Sequence, residues 1–172
     1  MRILLVIDML NDFCHKDGAL FFPAARQIIP FITERIKEYR DDTIIYLNDA
    51  HEVGDKEFER FPQHALKNTW GSNIITELLP LDKDFVIDKT RYSGFYHTML
   101  SSFLAAMKMR HGVESVEVVG VCTSICVMDT VGGLANRDYK IVVHRAGVAD
   151  FNSKAHEFAL ERMEKLYGAE VI

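Results

Sequence analysis

Val118-Val119-Gly120-Val121-Cys122-Thr123-Ser124-Ile125-Cys126-Val127 is the stretch that decides the fold. Its first four residues close an apolar run that begins at Ser115, and a helix is expected to start near Thr123 or Ser124. The segment therefore reads as a strand passing directly into a helix. The pattern recurs on both sides. Runs rich in Val and Ile lie at 2–7, 43–47, 85–87, 115–121 and 140–143, the composition of strands buried on both faces of a parallel sheet. Between them three sets of apolar residues keep helical spacing: Ile28, Ile32, Ile36 and Tyr39; Leu100, Phe103, Leu104 and Met107; Ala155, Phe158, Ala159 and Met163. Each lays one apolar stripe on a sheet. Alternating strands and helices imply an α/β fold, a single domain over residues 1–172. Its expected form is a doubly wound, mostly parallel sheet of about six strands flanked by helices, with a short last strand near 170–172.

Composition narrows the function classes. A chain of 172 residues fits one core, and a mean hydropathy of −0.01 places it among ordinary globular proteins. The net charge of −5 is mild and the Lys and Arg residues are scattered. No basic footprint exists for a nucleic acid backbone or an anionic membrane. The apolar run after Arg2 is broken by Asp8, too early for a signal segment or a membrane span, so a cytoplasmic location is expected. Three cysteines, Cys14, Cys122 and Cys126, are an odd count, and the spacing of the last two argues against a disulfide framework.

Ligands of open parallel sheets bind beyond the carboxyl ends of the strands, and that rule tests each candidate. Asp8 directly follows the first strand, where it is either a turn-capping residue or a reactive carboxylate. Lys89 follows the third strand, either as a solvated lysine or as an ammonium held beside a thiol. Cys126 falls in the first turn of the helix after the fourth strand, where free N–H groups and the helix dipole lower a thiol pKa and hold an oxyanion. A buried structural cysteine is the alternative, and for Cys122 the preferred one. If the three strand ends converge, Asp8 takes the thiol proton, Lys89 stabilises the charged pair and N–H groups near Cys122 and Cys126 face the oxyanion. The second strand ends in Asn48-Asp49-Ala50-His51, followed by Glu57 and His64 in a long loop. Two carboxylates and two imidazoles suit zinc first, or manganese or iron, although the spacing matches no compact ligand motif. His15, His97, His111, His144 and His156 are expected at the surface, and Trp70 is expected to pack under the loop.

Taken together these segments resemble the isochorismatase-like cysteine hydrolases, and within them the nicotinamidase/pyrazinamidase branch. Asp8 to Phe13 (DMLNDF) resembles the family's opening segment, Lys89 with TRYSGF its lysine segment, and GVCTSICV its nucleophile elbow. The resemblance implies Asp8, Lys89 and Cys126 as catalytic residues and a cis peptide before Cys122, whose N–H joins that of Cys126 in the oxyanion hole. It further implies Asp49, His51 and His64 as metal ligands, with Glu57 at a position where some members carry Glu. Phe13, Phe61 and Tyr92 are implied as pocket residues bordering a flat aromatic ring. Ser124 stands where many members have Asp. The implied substrate is a small aromatic amide, nicotinamide or an analogue such as pyrazinamide, hydrolysed through a thioester by a protein that forms a homo-oligomer. The alternatives are a metal-independent carbamoyl or ureido amidase and a non-catalytic ligand-binding protein on the same fold.

Overall fold

A computed structural model describes all 172 residues. Six strands, β1 (Arg2–Ile7), β2 (Thr43–Asp49), β3 (Phe85–Lys89), β4 (Ser115–Val121), β5 (Ile141–Ala149) and β6 (Glu170–Val171), form one sheet in the order β3-β2-β1-β4-β5-β6. Every neighbouring pair is parallel. The strand order reverses between β1 and β4, the crevice where doubly wound sheets bind ligands.

Alternation along the strands divides the core in two. Leu4, Val6, Ile44 and Tyr46 face one side and meet Ile32, Ile36 and Tyr39. These come from α3 (Ile29–Glu38) and its end, preceded by the short helices α1 (Asn11–Cys14) and α2 (Pro23–Gln27). Ile3, Leu5, Ile7 and Leu47 face the other side, covered by α4 (Leu100–His111), α5 (Met128–Ala135) and α6 (Ser153–Tyr167). Asn152 caps α6 by accepting the N–H groups of Lys154 and Ala155, and Gly168 at φ +67° closes it in the left-handed conformation that glycine adopts without penalty. No helix is long and apolar enough to cross a membrane.

The register brings four strand ends to one edge. Ile7 lies between Leu47 and Gly120, and Asp49 pairs directly with Lys89. Gly120 sits at φ +121°, where an added Cβ would lie 2.0 Å from the Ile7 carbonyl oxygen. Only glycine lets β4 approach β1 this closely beside Asp8. The register between β4 and β5 shifts at the same point, and β5 runs on to Ala149, well past the expected end at Val143.

Several expectations need correction. β3 is an edge strand with Phe85 and Val86 exposed, not buried on both faces. Phe158 is exposed because the buried stripe of α6 runs through Ala159, Leu160 and Met163, a phase that turns position 158 outward. Trp70 is 48% exposed, edge-on to His15 and not under the loop. Among the histidines placed at the surface, His97 and His111 are exposed, while His15 and His156 are half-buried. His144 is buried, its Nε2 2.5 Å from Glu117 Oε2.

Glu117 is the buried anion of that cluster, faced by His144, Arg35 and Tyr39. Burial pushes its carboxyl up, but the bond with His144 and the charge of Arg35 outweigh it and hold the pKa below that of a free glutamate. A depressed pKa contributes stability above the unfolded-state value, about 4.3, and loses it as pH falls. Glu117→Gln is therefore expected to cost about 1–3 kcal/mol at neutral pH, with the gap from wild type closing below about pH 4. Urea denaturation across pH measures this, and a gap independent of pH would refute the ionic role.

Candidate active site

Asp8 leaves β1 at φ +52°, a left-handed conformation that Asp tolerates better than most residues. Its N–H donates to the Leu47 carbonyl, and its Oδ1 accepts the N–H of Asp49 from the neighbouring strand at 2.7 Å. The carboxylate is thereby aimed along the sheet edge. Lys89, at the end of β3, reaches across β2 to place Nζ 2.8 Å from Asp8 Oδ2, 2.6 Å from Asp49 Oδ1 and 3.4 Å from Cys126 Sγ. Its side chain has no exposed surface, so its charge is balanced by these neighbours and not by water.

Cys126 lies in a π-helical turn, Thr123–Val127, that leads from β4 into α5. The turn is tied down by Asp150, whose carboxylate accepts the Ser124 N–H at 2.8 Å. The Val121–Cys122 peptide is cis, as the family resemblance implies, and the Cys122 N–H bonds to no backbone carbonyl. All three cysteines are free thiols.

Electrostatics here differ from expectation at one point. The helix start was expected to lower the Cys126 pKa, yet burial pushes it well up, Lys89 opposes, and Asp8 and Asp49 add to the rise. One ammonium does not offset two carboxylates and full desolvation. Burial and the charge of Asp49 raise the Asp8 carboxyl to about 6 despite Lys89, which places a proton acceptor of suitable strength beside the thiol. Burial disfavours the Lys89 ammonium, but Asp49, Asp8 and Cys126 outweigh it and its pKa stands well above the ordinary lysine value.

A second cluster shares Asp49. Donor atoms of Asp49, His51 and His64 all lie within 4.8 Å of one another. His64 Nδ1 donates to the Pro62 carbonyl at 2.7 Å, which leaves Nε2 as the free lone pair. His51 Nδ1 lies 3.2 Å from Asp55 Oδ2, and against the cost of burial the Glu57 N–H and the Arg91 guanidinium lower the pKa of that carboxyl to about 2. His51 Nε2 and Glu57 Oε2 are buried without any partner, and Glu57 Oε1 is 3.8 Å from His64 Nε2. Buried imidazoles oriented from behind, with unsatisfied acceptors turned inward, are what a metal ion requires of its ligands. The residues present fit a divalent cation. The grouping of Asp8, Asp49 and Cys126 is also compact, but there the Lys89 ammonium already touches all three.

Both clusters open into one cavity of about 310 Å³. Phe13, Phe61 and Tyr92 line it together with Asp8, Glu57, His64 and Cys126. Residues that sequence reasoning passed over complete it. Asp12, buried in α1, accepts the N–H of Ala65 at 2.7 Å and of Ala19 at 3.0 Å, binding two wall loops together. Its only sequence signal is an acid placed four residues after Asp8. Leu20, Phe21, Phe22, Ile125 and Phe151 also line the cavity, and nothing in their local patterning marks them.

With this geometry in place, comparison with known proteins gives the family. The model of the isochorismatase domain matches residues 2–172. The chain belongs to the isochorismatase family. Its sheet is similar to that of solved family structures. The pyrazinamidase/nicotinamidase of Streptococcus mutans UA159 superimposes with a TM-score of 0.92 at 31% identity, covering 100% of both chains. N-carbamoylsarcosine amidase of Thermoplasma acidophilum does so at 0.87 and 32%, covering 99% of this chain and 94% of that one. The pyrazinamidase of Pyrococcus horikoshii, solved in complex with zinc, gives 0.90 at 27% over 99% and 98%.

Proposed function

We propose that this isochorismatase-family hydrolase is a metal-dependent cysteine amidase that converts nicotinamide, or a close analogue such as pyrazinamide, to the carboxylic acid and ammonia. The observation that carries this is the contact of one buried ammonium, Lys89, with Asp8, Asp49 and Cys126 at the floor of an aromatic-walled cavity. It joins a nucleophile, a proton acceptor and the first residue of the metal-fitting set.

Attack of Cys126 sulfur on the carboxamide carbon passes the thiol proton to Asp8 while the carbonyl oxygen takes up negative charge. Lys89 stabilises the charges created around it, and the unpaired N–H of Cys122 stands ready to donate to the oxyanion. Asp8 then returns the proton to the amide nitrogen as the C–N bond breaks and ammonia leaves. Water attacks the thioester with Asp8 as base, the sulfur regains a proton, and the carboxylic acid departs. Asp49, His51, Glu57 and His64 would hold the divalent ion, which supplies an electrophilic partner for a heteroaromatic ring nitrogen. Phe13, Phe61 and Tyr92 border the ring.

Similarity to N-carbamoylsarcosine amidase raises the alternative of a carbamoyl substrate bearing a carboxylate. The cavity opposes it. Its charged lining is Asp8, Asp49 and Glu57, with no Lys or Arg, and the cation behind it, Lys89, is already paired with Asp8 and Asp49. An uncharged amide suits such a lining better than an anion.

Ammonia release from nicotinamide, pyrazinamide and ureido compounds, with and without chelator, tests the proposal. Chelation is expected to remove at least about nine-tenths of the activity on nicotinamide, since even loss of a group that merely orients a metal ligand costs roughly 10–100-fold, and one equivalent of zinc is expected to restore it. Chelator-resistant hydrolysis of ureido compounds, with none of nicotinamide, would hand the case to the alternative.

A further inference from the structure

We infer that the cavity has a second, wholly apolar compartment, and that the favoured substrate is an uncharged aromatic carboxamide carrying an apolar substituent on its ring. This rests on the amidase function proposed above and extends it to the outer half of the substrate.

The cavity wall is mixed in character. Polar groups gather at the floor, where Asp8, Asp49, Glu57, His64 and Cys126 meet. Much of the remaining lining is Leu20, Phe21, Phe22, Ile125 and Phe151, of which Phe151 is 59% exposed, and none of these side chains carries a donor, acceptor or charge. The volume of about 310 Å³ falls at the lower bound of pockets that hold drug-sized ligands, roughly 300–1,000 Å³. A single ring with one carboxamide is much smaller. Seated on Cys126, it leaves these apolar side chains uncovered.

That wall is fixed in place. Phe151 stays 59% exposed although the residues on either side are anchored. Asp150 accepts N–H groups from Ser124 at 2.8 Å and Asn152 at 3.0 Å, and Asn152 caps α6. Phe22, just before α2, meets Phe151 edge-on, ring centroids 6.3 Å apart. Leu20 is held by its N–H bond to the Asp12 carbonyl at 2.9 Å. A large aromatic ring kept in water at the rim of a reactive cavity gains by being covered, and an apolar ring substituent covers it without placing a charge near the acidic floor.

In 5-phenylnicotinamide the added ring lies across from the edge that bears both the nitrogen and the carboxamide. Its kcat/KM on the zinc-loaded enzyme is expected to exceed that of nicotinamide about tenfold, chiefly through a lower KM. Phe151→Ala is expected to move the ratio of the two kcat/KM values at least fivefold toward nicotinamide. A phenyl compound hydrolysed more slowly than nicotinamide, or a ratio that Phe151→Ala leaves unchanged, overturns the inference while leaving the amidase function standing. Calorimetric binding to Cys126→Ala protein separates the two claims without turnover: biphenyl-3-carboxamide is expected to bind about tenfold tighter than benzamide. Equal affinities overturn the apolar compartment. Tight biphenyl binding in a protein whose wild type hydrolyses neither nicotinamide sinks the amidase function alone.

Discussion

Cys126→Ala is expected to lower ammonia release from nicotinamide by roughly 10⁴-fold or more, because losing the nucleophile removes the covalent route entirely and leaves only binding and oxyanion stabilisation. The fold should survive. The Cys126 side chain is small and packs in the second half of the core with Val127 and Val131, so replacing sulfur by hydrogen is expected to cost no more than about 1–2 kcal/mol. Ammonia release and urea denaturation on the same preparation read both effects. A folded variant that keeps wild-type turnover would show that the sulfur is not the attacking atom. Mild destabilisation with complete loss of turnover is the pattern that separates a reactive cysteine from a structural one, the alternative that sequence alone leaves open.

The strand ends carried most of what the sequence could say. Asp8, Asp49 and Lys89 each sit at the end of an apolar strand run, so one rule about parallel sheets puts them at a common edge, and the structure brings them within bonding distance of one another. The strand-to-helix passage around Cys122 did the same for Cys126. Asp49, His51, Glu57 and His64 had a weaker signal. Three of them sit in or beside a loop without periodicity, and their convergence depends on local turns such as the one at 56–59, where Asp55 accepts the Glu57 N–H. No spacing rule encodes that.

Other features depend on what surrounds a residue, which linear order does not carry. The thiol pKa of Cys126 was misjudged because a helix start is visible in sequence, whereas full burial against Asp8 and Asp49 is not. His144 reads as a surface residue until β5 is seen to run beside Glu117. Phe22 and Phe151 meet at the cavity rim although 129 positions separate them, and each lies in a connection with no repeat to expose it. Trp70, the largest apolar side chain, stays half in water, edge-on to His15.

The second large effect concerns Lys89, where stability and chemistry depend on one atom. Its Nζ is the cation between two buried carboxylates, 2.8 Å from Asp8 and 2.6 Å from Asp49. Lys89→Met keeps the length of the side chain but removes the ammonium that offsets the burial of Asp8 and Asp49, so each carboxyl must stay charged without a partner or take up a proton. Removing one partner of a buried ion pair costs about 3–5 kcal/mol, a large part of the roughly 5–15 kcal/mol that holds a domain together. Turnover is expected to vanish as well, because no ammonium remains to stabilise the charge that develops when Cys126 gives up its proton. Pairing the change with Asp8→Asn separates the two roles. The double variant has one buried carboxyl without its cation instead of two, so it is expected to recover roughly half of the lost stability, a coupling of the size seen between residues in contact. It should recover none of the activity, since the proton acceptor is gone. Urea denaturation of the single and double variants measures the coupling. A cost below about 1 kcal/mol for Lys89→Met would mean that the two carboxylates do not depend on this ammonium, and the site could not work as described.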